Sequence, residues 1–202
     1  MTHALAEIPS ISLPDNLAKF LGDPPLVGDE TAESYNSFFT AIVADVKPTN
    51  SIDWLYTKDV ADLSWQIRRE RAVLAGVIKF YQTEVVRDLL KRTADASNPV
   101  EAVAYRIINA SDEAQSWASD PAARKEIDAR LTAKGHTPSA VLAEAYMRGA
   151  SNIDAIDRRI SACEARRVGI VREIERRNER FARDLDTASS SVVDGEFSEA
   201  AE

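Results

Sequence analysis

The sequence predicts an all-α protein in which two long helices pack antiparallel, as a coiled-coil-like hairpin or bundle, with shorter helices beside them. The main observation is a seam of mostly apolar positions in the last third of the chain, spaced alternately four and three residues apart. Such a spacing keeps side chains on one face of a helix, and that face needs another helix to cover it. A second long segment without proline, and the lack of alternating strand patterns, complete the prediction. The seam comprises Leu142, Tyr146, Gly149, Ile153, Ile156, Ile160, Cys163, Arg167, Ile170, Ile174, Arg177 and Phe181.

Composition favours a folded cytoplasmic protein. Of the 202 residues, 45% are hydrophobic and 29% are charged, which is typical of globular rather than disordered chains. No apolar run is long enough for a membrane span, and the first residues lack the basic and apolar regions of a secretory signal. The single cysteine cannot form an internal disulfide, which fits a reducing compartment.

Three regions are predicted from residue usage. Residues 1–30 contain four prolines and are predicted to form an extended arm. Residues 31–187 carry the helical patterns and form the helical domain. Residues 188–202 are rich in serine and acidic residues and contain no basic residue, so we predict a disordered acidic tail.

The first two helices have clear start and stop signals. Thr31 offers an N-cap oxygen to a helix that ends at Lys47, because a proline follows. Asn50 or Ser51 can cap the next segment, which has apolar residues at helical spacing and no proline until about Arg92. This segment is the first of the two long helices.

Shorter elements follow before the last helix. Residues 100–110 come after a proline and are predicted to form a short helix. Residues 111–119 are ambiguous, with Trp117 as their only large apolar anchor. Asp120 precedes a proline and is predicted to cap a short polar helix that ends near Gly135.

The final long helix begins after Thr137 and is expected to fray near Leu185. Both long helices rise 1.5 Å per residue, so the numbers of facing residues in an antiparallel pair have a constant sum. With residues 92 and 138 side by side, that sum is about 230.

This register predicts a polar layer between the long helices. Asp59 and Asp62 then lie near residues 171 and 168, close to Arg167 and Arg172. Because Arg167 lies on the seam, it needs a partner or access to water. We predict that Asp62 or Asp59 is this partner, in a structural layer.

No metal, cofactor or catalytic signature is recognised. A di-iron bundle needs Glu-x-x-His pairs, and neither His3 nor His136 follows a glutamate by three residues. Cys163 is interpreted as a small buried hydrophobe. An enzyme is the third hypothesis, with its site assembled from scattered residues such as Asp59, Asp62, His136 and Cys163.

Two other features suggest partners. Trp65, Arg68 and Arg69 form a candidate interaction surface, to which Arg176 and Arg180 of the last helix can add. The last helix contains many arginines, and nucleic-acid binding through them is the alternative hypothesis. Interspersed glutamates instead favour ion pairs within the helix, which is typical of a solvated face.

Two long stretches carry a resemblance to known sequences. Residues 24–74 (PPLVGDETAESYNSFFTAIVADVKPTNSIDWLYTKDVADLSWQIRRERAVL) and residues 153–177 (IDAIDRRISACEARRVGIVREIERR) together resemble an uncharacterised family of all-helical bacterial proteins, usually recorded as hypothetical. The resemblance implies a bacterial cytoplasmic protein and carries no mechanism. From the residues we predict a non-enzymatic interaction or scaffold protein that acts through homo-oligomerisation, as a homodimer, or through a partner helix.

Overall fold

The computed structural model describes residues 17, 19, 21–93, 103 and 109–193, with side chains up to residue 189. The regular structure of these residues is helical and includes no strand, which confirms the predicted all-α fold class. The helices are α1 (Ala32–Val46), α2 (Ser51–Arg92), α3 (Ala110–Ser119), α4 (Pro121–Ala133) and α5 (Pro138–Val193).

The chain divides into two compact units. The first unit comprises Met1–Ile67 and Ala162–Glu202, and the second unit comprises Arg68–Ser161. Helices α2 and α5 each contribute residues to both units. Helix α1 belongs to the first unit, and α3 and α4 belong to the second.

The predicted caps of the first two helices are confirmed. The Thr31 hydroxyl accepts a hydrogen bond from the backbone N–H three residues later, at 3.2 Å, and satisfies an orphan donor of α1. Lys47 ends α1 in the left-handed conformation, with φ at 51°. Asn50 Oδ1 accepts from two backbone N–H groups in the first turn of α2, at 3.0 and 3.1 Å.

The later boundaries also match the sequence signals. The Asp120 carboxylate accepts from a backbone N–H of α4 at 2.9 Å, and Gly135 takes a positive φ of 88° in the turn after α4. The Thr137 hydroxyl caps α5 at 3.2 Å. The ambiguous segment 111–119 lies within α3, whereas most of the short helix predicted at 100–110 lies outside the described residues.

The predicted boundary of the acidic tail falls inside α5. This helix continues past residue 187 to Val193, because no glycine or proline interrupts it there. Serine in a helix interior costs less than about 0.7 kcal/mol relative to alanine, so a short serine run does not end a helix. Residues 194–202 and most of the predicted arm lie outside the described residues.

Helices α2 and α5 pair antiparallel in the first unit. Arg177 Nε donates to Asp53 Oδ1 at 3.3 Å, and Arg167 Nη1 donates to Ser64 Oγ at 3.3 Å. The residue numbers of these pairs add up to 230 and 231, so the predicted register holds in this unit.

The same two helices pair antiparallel in the second unit. Arg159 donates two hydrogen bonds to Glu70, at 3.0 and 2.9 Å, and the residue numbers add up to 229. Further along, Arg148 Nη1 donates to Asp88 Oδ2 at 2.7 Å, with a sum of 236. The close approach of Gly149 to Tyr81 in the same unit gives a sum of 230, so the register stays near the predicted one, and the long Arg148 side chain reaches beyond the residue that faces it.

The seam differs from its predicted course at the start of α5. Val141 and Ala145 are buried there, while Leu142 and Tyr146 are 40% and 45% exposed. The reason is that this part of α5 packs on a core built with α3 and α4 as well as α2, and not on one facing helix. The buried residues of that core are Val85, Val86, Leu89, Leu90, Ala110, Ala114, Trp117, Ile127, Leu131, Val141 and Ala145.

Aromatic side chains attach α1 to α2 in the first unit. Tyr35, Phe39 and Val43 lie on one face of α1 and pack against Ala61 and Trp65 of α2. The rings of Tyr35 and Trp65 meet edge to face with their centroids 5.5 Å apart. Such pairs add to the free energy gained from burial, so α1 is firmly held on α2.

Candidate interaction surface

A buried polar cluster lies beneath α1 in the first unit. Lys58 is only 4% exposed, and its ammonium donates to both carboxylate oxygens of Asp62 at 2.7 and 2.6 Å. The Tyr35 hydroxyl donates to the same carboxylate. Burial raises the pKa of Tyr35, and the hydrogen bond to Asp62 and its negative charge raise it further. The cluster is a satisfied charge pair that fixes α1, since every charged group in it has a partner.

The structure gives the residues of the predicted polar layer other partners. Asp62 bonds to Lys58 and to α1, while Arg167 is half-buried and donates to a serine hydroxyl. Asp59 and Arg172 are exposed. The predicted layer considered only partners across the two long helices, whereas Asp62 pairs with Lys58 one turn away on α2 and with Tyr35 of α1.

The candidate interaction residues are divided between core and surface. Trp65 is 3% exposed and belongs to the aromatic core, so it cannot form a surface. Arg68 is exposed and Arg69 is half-buried. Arg176 is exposed and donates to Glu173 at 2.6 Å, and Arg180 lines a shallow cleft at the start of α2.

The residues of the enzyme hypothesis belong to different units of the chain. Cys163 is buried in the first unit, and His136 lies in the turn between α4 and α5 of the second unit. The described part of the chain holds no group of three or more His, Cys, Asp or Glu side chains arranged for a metal ion. None of its helices is long and apolar enough to cross a membrane.

An exposed apolar face lies on α2 in the second unit. We call it the α2 face, and it comprises Ala72, Val73, Gly76 and Phe80. Val73 is 44% exposed and Phe80 is 59% exposed, and the space where a Gly76 side chain would project is open. On a helix of 3.6 residues per turn, Ala72 and Gly76 lie most nearly opposite Tyr81, which contacts α5.

A cleft adjoins the α2 face on the side of α3. It has a volume of about 330 Å³ and is lined by Gly76 and Phe80 together with polar residues of both helices. The polar lining includes Lys79, Gln115 and Ser119. The face and the cleft together give an apolar centre with a polar edge, which is the usual anatomy of a protein–protein interface.

A second apolar pair lies near the end of α5 in the first unit. Phe181 is 61% exposed and Leu185 is 53% exposed. Phe181 lines the cleft at the start of α2 together with Thr49, Asn50 and Asp53. The pair consists of two residues, whereas the α2 face comprises four.

The sequence contains a signal for the α2 face. Residues 72–80 read AVLAGVIKF, with Lys79 as their only charged residue. A helix that is apolar on all sides must be covered on all sides, yet α5 contacts only one side of this segment. No comparable signal identifies Lys58, because its burial depends on how α1 folds over it.

Comparison with protein-family models, curated proteins and solved structures gives no match for this chain. This result is consistent with the resemblance to an uncharacterised family. The functional argument therefore depends on the geometry of the chain itself.

Proposed function

We propose that the protein is a non-enzymatic helical interaction or scaffold protein, which binds another helix through the α2 face. One observation carries the proposal: Val73 and Phe80 are exposed on an apolar helix segment whose other side packs on α5. Removing such a surface from water is favourable by roughly 25 cal/mol per Å². The bound helix comes from a second copy of this chain or from a partner protein, and we propose that it contacts α2 in a coiled-coil-like manner.

A cytoplasmic location is part of this proposal. The single Cys163 is buried and is not part of a disulfide, which supports a reducing environment. A bacterial origin is supported by the resemblance alone.

Nucleic-acid binding through α5 is the weaker alternative. Arg159, Arg176 and Arg177 each donate to a carboxylate of Glu70, Glu173 or Asp53. These pairs neutralise charges that phosphate contacts would need. A nucleic-acid complex would lose affinity steeply as salt rises, whereas association through an apolar face would tolerate salt.

The test is sedimentation velocity over a range of protein concentrations, with two double variants. Val73→Asp with Phe80→Asp places two carboxylates on the α2 face and is expected to abolish association. Val168→Asp with Val171→Asp is the matched control, because these valines are 44% and 38% exposed on α5 in the first unit. Equal association of both variants would contradict a role of the α2 face.

A further inference from the structure

Two copies of the α2 face are complementary to each other. Arg68, Ala72, Gly76, Phe80 and Glu84 follow at four-residue intervals, and they form one ridge of the helix surface. Gly76 lies at the centre of the ridge, with the small Ala72 on one side and the large Phe80 on the other. The two ends of the ridge carry opposite charges. We propose that a second copy of this chain covers the α2 face, with the two α2 helices antiparallel and crossing at Gly76. This inference rests on the proposed function and names the partner.

The crossing follows from the way helices pack. In the commonest class of helix packing, the ridges formed by residues four apart run alongside each other on the two helices and interdigitate. A two-fold axis makes such a contact self-complementary. If the axis passes between the two copies of Gly76, residues equally distant from it on either side meet. Ala72 then accepts Phe80 of the second copy, and Arg68 meets Glu84 of the second copy. Glycine at the crossing lets the two backbones approach closely.

The charges favour this orientation over a parallel one. Arg68 is exposed, and Glu84 is half-buried and bonded to Arg87 of its own helix. In a parallel pair with the same contact point, Arg68 would face Arg68 of the second copy, and Glu84 would face Glu84. Arg68 and Glu84 of one chain lie 16 residues apart on a continuous helix, or about 24 Å, so they cannot bond to each other. Any coupling between them must therefore act between two molecules.

Charge reversal tests the contact in trans. Arg68→Glu and Glu84→Arg each create two like-charge pairs in a homodimer, and we expect the dissociation constant of each variant to rise about tenfold. An equimolar mixture of the two variants should recover wild-type association, since both pairs of the mixed dimer are again opposite in charge. Circular dichroism and thermal unfolding check that each variant is folded. Unchanged association of both single variants, or a mixture no tighter than its components, would overturn the proposed orientation.

Disulfide formation tests the crossing point without changing any charge. Gly76→Cys in a Cys163→Ala background should form a disulfide dimer under mild oxidation, because the two thiols then meet across the axis. Gly169→Cys in the same background is the control, since a side chain at either glycine projects into open space. Dimer formation at residue 76 and not at residue 169 is the expected result. Failure at residue 76, or equal formation at both positions, overturns the crossing.

The two proposals fail separately. A wild-type chain that associates without dependence on Arg68, Glu84 or Gly76 refutes this inference and leaves self-association through another surface. A wild-type chain that stays monomeric at every concentration refutes the second copy as occupant. The α2 face would then be a site for a helix of another protein.

Discussion

Replacing Gly149 by alanine is a direct test of the packing between α2 and α5. A Cβ atom at this position would lie 2.6 Å from Cδ2 and 2.8 Å from Cε2 of Tyr81. The ring must move, and its hydroxyl then loses the hydrogen bond that Asn152 donates at 2.8 Å. Overpacking of this kind costs about 1–3 kcal/mol, while alanine gains about 0.5–1 kcal/mol over glycine within a helix. We expect a net loss of about 1 kcal/mol in the free energy of unfolding.

Gly169→Ala is the matched control for this prediction. Gly169 lies in the same helix, with no atom within 4 Å of its would-be Cβ, so alanine should stabilise the protein by about 0.5–1 kcal/mol. Urea unfolding with linear extrapolation measures both variants. A Tyr81→Ala background removes the two closest contacts and leaves Ile153 Cδ1 at 3.2 Å, so Gly149→Ala should cost much less there than in the wild type. Equal stabilisation by both alanines in the wild-type background would refute the close contact of Gly149 with Tyr81.

Three further predictions concern ionisable groups. Asp62→Ala leaves buried Lys58 without its carboxylate and should lower the free energy of unfolding in urea by about 3 kcal/mol. Asp59→Ala, at an exposed position one turn away, should change it by no more than about 0.5 kcal/mol. Similar values for the two variants would contradict the buried pair. The pKa of Tyr35 is raised, so its stabilising contribution is present below pH about 10 and is lost as the pH rises above that value. Because Tyr35 stays protonated in the native protein near pH 11, the tyrosinate absorbance there should be the same for wild type and Tyr35→Phe. Partial burial alone would raise the pKa of Asp88, but the hydrogen bond and the charge of Arg148 hold this pKa below its ordinary value. The stabilising contribution of Asp88 is therefore present above pH about 4 and is lost as the pH falls through the lowered pKa. Asp88→Asn should flatten the acid limb of the stability curve, and an unchanged limb would count against the pair.

Local signals explain why most of the fold could be predicted from the sequence. The caps at Thr31, Asn50, Asp120 and Thr137 depend on side chains that bond to backbone within the next few residues, so no tertiary information is needed. The antiparallel register follows from the equal rise of two helices, and it places Arg177 near Asp53.

The missed features depend on contacts between elements. Tyr35 meets Asp62 only because α1 folds back on α2, and no spacing rule encodes that angle. Lys58 lies one turn from Asp62 on the same helix, so the spacing allows this pair, but the burial of Lys58 depends on α1. The shift of burial to Val141 and Ala145 reflects additional packing partners from α3 and α4. The apolar character of residues 72–80 is visible in the sequence, but which side of them is uncovered is not.

Molar mass in solution tests the central claim most directly. Light scattering on a sizing column, over a wide range of protein concentrations and at low and high salt, follows the mass of the wild-type chain. The account predicts a reversible rise from 22.2 kDa toward twice that mass, persisting at high salt because the contact is centred on apolar residues. A mass that stays at 22.2 kDa at every concentration would contradict self-association through the α2 face.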